Sequence, residues 1–123
     1  MNDDADPTGW WVRSALVNNG QWMARLFDDP AFRAKVRSRW NELKRTQFDS
    51  LPTYIDQRGL ALNQTQQNNF ARWPVLNTEI YTEAEMAGSY AGEINYMKGW
   101  LTTRIAWMDT QINAENYVAG GIN

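Results

Sequence analysis

The stretch YAGEINYMKGWLTTRIAWMDTQI, residues 90–112, sets Tyr90, Ile94, Met97, Leu101, Ile105, Met108 and Ile112 at steps of 4, 3, 4, 4, 3 and 4. Side chains recurring in this way line one face of an α-helix, whereas a strand would need alternation. Trp100, Arg104 and Trp107 form a second stripe beside the first. At i−4 and i+3, the two rings can each stack on the Arg104 guanidinium, which is left to donate to a carboxylate such as Glu93 or Asp109. A helix this long and this apolar on one face needs partners.

The sequence upstream supplies them. Asp29-Pro30 is a helix start: the carboxylate can accept an unpaired backbone N–H, and proline lacks the N–H that would go unpaired. Phe32, Val36, Trp40, Leu43 and Gln47 then mark one face of a helix over about 30–46. A further helix is expected over about 51–73, with Pro52 in its first turn, inward positions including Leu51, Ile55, Leu62, Gln66, Phe70 and Trp73, and Pro74 as the stop. Gly59 marks a bend or break in it. Gln21–Phe27 reads as a short N-terminal helix, and Thr82 with Glu85 has capping-box form. The expectation is an all-α fold of three main antiparallel helices, 30–46, 51–73 and 90–112, plus the short one at about 21–27. Residues 1–19 form an irregular, aromatic-containing arm, 20–113 the bundle and 114–123 a flexible tail. Trp40, Phe70, Trp73, Leu101 and Trp107 are expected to share one core.

At 123 residues the chain is one domain's worth. With no histidine and no cysteine, it excludes disulfides, thiolate or imidazole metal sites and histidine-based nucleophile systems. No glycine-rich phosphate loop is present, no apolar run approaches the roughly 20 residues of a membrane span, and the acidic start does not resemble a signal peptide. Net charge is −2, but residues 30–58 carry seven basic side chains against three acidic ones. Arg33, Arg37 and Lys44 flank one side of the apolar stripe there, suited to a phosphate or an acidic partner, or simply to solvent. Tryptophans at 10, 11 and 22 lie outside the clear helical stripes, so Trp10, Trp11 and Trp22 are candidates for docking a partner. Asp3, Asp4 and Asp6 are carboxylates of the kind that bind hard cations, although terminal acidic clusters are usually solvated. No converging catalytic set is visible.

Three blocks in order carry a resemblance: Trp22-x-x-Arg25-Leu26-Phe27-x-Asp29-Pro30-x-Phe32-x-x-x-Val36-x-x-Arg39-Trp40-x-x-Leu43, then Asn69-Phe70-x-Arg72-Trp73-Pro74, then Glu93-Ile94-x-Tyr96-Met97-x-x-Trp100-Leu101-x-x-Arg104-Ile105-x-Trp107-Met108-Asp109. Together they resemble the C-terminal helical part of the spore coat protein H (CotH) kinase family. The resemblance implies an atypical protein kinase using ATP and magnesium, from bacterial spore coats or the bacterial exterior. The family's nucleotide-binding lysine and acidic metal motif lie upstream of this region, and Asp3-Asp4-x-Asp6 cannot be assigned to them. The chain is therefore expected to be a C-terminal helical subdomain without catalytic, cofactor or metal residues, inactive alone, whose partner is the remainder of the kinase domain. The alternative is a stand-alone helical interaction module for an acidic or phosphorylated protein. Neither nucleic acid nor membrane is an expected partner.

Overall fold

The structure, a computed structural model, describes residues 6–10, 21–78 and 86–117. The described residues are helical, with no strand among them: α1 (Gln21–Leu26), α2 (Pro30–Thr46), a 3₁₀ turn (Phe48–Ser50), α3 (Leu51–Ala61), α4 (Asn63–Arg72) and α5 (Tyr90–Asn113). The Thr82–Glu85 capping box lies outside the described residues.

Helix α2 begins as its sequence dictates. Asp29 is extended, its carboxylate accepts from Ala31 N at 2.8 Å, and Pro30 takes the first helical position. At the start of α5, Ser89 Oγ accepts from Gly92 N at 3.0 Å, and the Glu93 carboxylate reaches back to Ala87 N at 2.9 Å. Gly92 is required by this reach-back: a Cβ there would lie 2.6 Å from the Ala87 carbonyl oxygen.

The single helix expected over 51–73 is two. The break falls at Leu62 (φ −88°, ψ 2°), between α3 and α4, not at Gly59. Gly59 is an interior residue of α3, and its missing side chain serves packing. A Cβ would sit 2.7 Å from Ile94 Cδ1, and the Tyr90 hydroxyl donates to the Gly59 carbonyl at 3.3 Å. At the break, Leu60 and Leu62 are exposed, so no buried face demands that the helix run on. Asn63, a residue type whose side chain competes for local hydrogen bonds, opens the next segment and accepts from Gln66.

Both α2 and α3 run antiparallel to α5. Trp40 bonds to Asp109, while Arg33, earlier on α2, reaches Glu115 beyond the end of α5. Asp56 pairs with Lys98, and Gly59, later on α3, meets Ile94 and Tyr90. The core lies between α2 and the second half of α5. Its buried members are Trp10, Phe27, Trp40, Ile112 and Tyr117, with Phe32, Val36, Phe48, Ile105, Trp107 and Met108 packed against them.

Two expectations about the core need correction. Trp40 and Trp107 belong to it, but Phe70, Trp73 and Leu101 do not. Trp73 is 57% exposed; it ends α4 with a non-helical backbone (φ −128°, ψ 85°), and the Arg72 guanidinium lies 5.3 Å from its ring centroid. The start of the expected tail is also ordered against the bundle. Helix α5 closes with paired bonds from Glu115 N to Ile112 O and from Asn116 N to Gln111 O, the reversal that turns a chain back over its own last turn. That turn delivers Tyr117 into the core at 3% exposure.

Candidate functional site

Two places combine unusual chemistry with position: a clamp around Arg104 and an open groove between α3 and α5.

Arg104, on the second half of α5, points its guanidinium at the N-terminal arm. Its Nη1 donates to the carbonyls of Pro7 at 3.0 Å and Gly9 at 2.8 Å, while Trp107 and Trp10 lie 5.0 and 5.9 Å from the guanidinium carbon. The expected ring stacking occurs on Trp107. The acceptors are backbone carbonyls rather than carboxylates, because Asp109 accepts from the Trp40 indole and Glu93 caps α5. Burial pushes the Arg104 pKa down, opposed in part by the charge of Asp6. Trp10 follows the clamped carbonyls directly. Its ring packs on Trp107 and Tyr117 at 4.9 and 5.5 Å, and its indole N–H donates to Asn116 O at 2.7 Å.

Trp10 is therefore corrected from a partner contact to a core residue, 8% exposed: the chain's own tail supplies both the apolar cover and the indole acceptor that a tryptophan needs. Trp11 lies outside the described residues, and Trp22 is 64% exposed on α1.

The basic side chains singled out on α2 pair with carboxylates of the same chain. Arg33 and Arg37 converge on Glu115, at 3.1 and 2.9 Å, and Arg33 also donates to the Phe27 and Asp28 carbonyls. Glu115 holds a positive φ of 52°, a conformation that favours glycine, at the point where α5 reverses. The two arginines thus fasten a strained turn. Lys44 pairs with Asp49 at 3.0 Å, and this hydrogen bond raises its pKa. None of the three is left without an internal carboxylate.

The groove was not anticipated from the sequence. It encloses about 420 Å³ and is lined by Tyr54, Ile55, Arg58, Leu62, Ile94 and Met97, among others. Tyr90 closes one side, its ring 6.5 Å from Phe70. Tyr54 and Arg58, four residues apart on α3, form an exposed pair: Arg58 Nε donates to the Tyr54 hydroxyl at 3.1 Å with the guanidinium over the ring. That i,i+4 aromatic–arginine spacing was the one signal in the sequence that could have found it.

A family model described as CotH kinase protein matches residues 9–108. This chain belongs to the CotH kinase family. The CotH match starts at Gly9, one of the two carbonyls held by Arg104, and takes in both rings of the clamp as well as every residue that lines the groove. No curated protein and no solved structure matches the chain significantly. Among the described residues no group of three or more acidic side chains could hold a metal ion. Asp6 is occupied by the backbone N–H and hydroxyl of Thr8, which hold its pKa down. The α2 cations suited to phosphate are committed to Glu115 and Asp49.

Proposed function

We propose that this chain is the C-terminal helical subdomain of a CotH-like atypical protein kinase and supports a catalytic core encoded elsewhere in the parent polypeptide. ATP and magnesium serve the parent, and the setting is a bacterial spore coat or cell exterior.

The observation that carries this reading is where large apolar side chains meet solvent. Tyr54, Leu60, Leu62, Trp73 and Met97 are exposed on α3, α4 and the first half of α5, with Leu60 at 79%. A concentration of exposed large apolar groups marks a surface built to be covered. At the opposite end Trp10, Phe27, Trp40 and Tyr117 are buried, and the exposed Trp22 on α1 is a second contact for the same partner.

Phosphoryl transfer requires metal ions and phosphate clamps held in place, so the isolated chain folds but does not take up nucleotide. Calorimetric titration with magnesium-ATP should give no saturable heat, and micromolar binding would overturn the proposal. The genomic codons upstream of Met1 give the direct test. An open frame encoding an acidic metal motif is expected; an in-frame stop with initiation signals at Met1 would leave a stand-alone interaction module.

A further inference from the structure

The groove between α3 and the first half of α5 has apolar walls and one unmatched charge. Ile55, Leu62, Ile94 and Met97 supply the walls. Of the ionic groups nearby, Asp56 is neutralised by Lys98, with contacts of 2.6 and 2.7 Å, and Glu93 is held by Ala87 N. Arg58 stands apart. It lines the groove, is exposed, and among the described residues pairs with no carboxylate.

Arg58 is also oriented for use. Its Nε donates to the Tyr54 hydroxyl and its guanidinium lies over the Tyr54 ring, which orients the side chain and leaves both terminal nitrogens without a partner among the described residues. Those nitrogens are the fork that grips a carboxylate through two parallel bonds. An occupant laid over the groove draws this guanidinium away from water, and a carboxylate on that occupant would compensate the cation where a purely apolar surface would not.

We propose that the groove receives an amphipathic helical segment of a partner polypeptide, whose apolar side chains enter between Ile55, Ile94 and Met97 and whose carboxylate pairs with Arg58. Only the identity of that polypeptide, the catalytic part of the parent kinase, rests on the function proposed above. The chemistry of the groove stands independently of it.

Two fluorescently labelled helical peptides of about 15 residues serve as probes, with the same leucines at i, i+3, i+4 and i+7 and either glutamate or lysine flanking them. Anisotropy titrations with the full chain should show micromolar binding of the glutamate peptide and at least about tenfold weaker binding of the lysine peptide. Arg58→Glu should reverse the preference. Arg58→Met should abolish the preference while keeping residual binding of both, and Met97→Glu should weaken the glutamate peptide by about tenfold or more. Both positions are exposed, and circular dichroism checks that the variants fold.

Equal binding of the two peptides, a glutamate preference that survives Arg58→Glu, or no binding of either peptide would overturn the proposal. A concentration-dependent dimer that Met97→Glu dissociates would overturn it too, by assigning the groove to a second copy. Failure of the peptides alongside an upstream kinase frame would reject the groove's occupant and leave the functional reading standing; binding of the peptides with no such frame would do the reverse.

Discussion

The two halves of α5 share one helix and one apolar period, yet they live in different surroundings. From Ile105 to Ile112 the stripe is met by Trp40 and Val36 of α2, by Trp10 of the arm and by Tyr117 of the tail. From Tyr90 to Met97 it is met chiefly by α3, across the gap that Gly59 leaves open, and Met97 stays 47% exposed. A helical stripe therefore states which face wants burial and not how much burial it receives. One half is satisfied within the chain; the other keeps large apolar side chains in solvent.

The largest effects should fall in the closed half. Trp10→Ala and Trp40→Ala should each cost about 3–5 kcal/mol, enough to unfold a small domain at room temperature, as read from urea or guanidinium melts. The Trp40 change also leaves Asp109 without its indole donor. A Trp10→Ala chain with near-normal stability would break the comparison, because the arm would then be an ornament on a core that closes without it.

Next comes the clamp. Arg104→Met retains length but loses the two hydrogen bonds to Pro7 and Gly9 and the stacked charge, for an expected loss of about 2 kcal/mol. Arg104→Lys should recover only part, since an ammonium can donate to the two carbonyls that Nη1 serves but cannot stack as a plane on Trp107. Tryptophan fluorescence through the melts would report whether the Trp10 ring leaves before the helices unravel.

Tyr117 sharpens the same half in the opposite direction. Its hydroxyl is buried with no hydrogen-bond partner among the described residues, so Tyr117→Phe should leave stability unchanged or raise it by about 1 kcal/mol. Burial, aided by the charge of Glu115, raises the phenol's pKa above its ordinary value. The folded state therefore holds this proton more tightly than the unfolded chain does. Its contribution is fully present below a pH of about 10 and is lost as pH rises through the folded pKa. Melts at rising alkaline pH should show that loss in the parent chain and less of it in Tyr117→Phe.

In the open half, Trp73→Ala should change stability by less than about 1 kcal/mol despite the size of the residue removed. A loss comparable to Trp40→Ala would mean that α4 contributes to the core after all.

The helices that could be read in advance are those whose signals are local. The Asp29-Pro30 start of α2 and the seven-residue stripe of α5 depend on neighbours within a turn or two. The break at Leu62 carried no glycine or proline, and Gly59 pointed to the wrong place because its role is a contact with Ile94, 35 positions away. The core is hidden from the sequence for a related reason. Trp10 meets Asn116 across 106 residues, a pairing that no periodicity records, whereas Trp73 sits on a regular stripe that ends just where its cover runs out. Arg33 and Arg37 looked like a surface for anions because Glu115, their partner, belongs to an expected tail. The Tyr54–Arg58 pair was legible as spacing, but only the exposed apolar walls around it gave it meaning.

The meeting of Trp10 with Asn116 and Tyr117 also bears on how the molecule is made. A ribosome delivers Asn116 a full 106 residues after Trp10, so the ring that closes the core waits, uncovered, until that turn has emerged. Contacts of such sequence separation slow the final step of folding. During synthesis the helices can form in order, but the buried cluster can be completed only once Asn116 and Tyr117 have emerged. The nascent chain thus passes through a stage in which both halves of α5 lack their full cover, and the arrival of that turn is what makes them different.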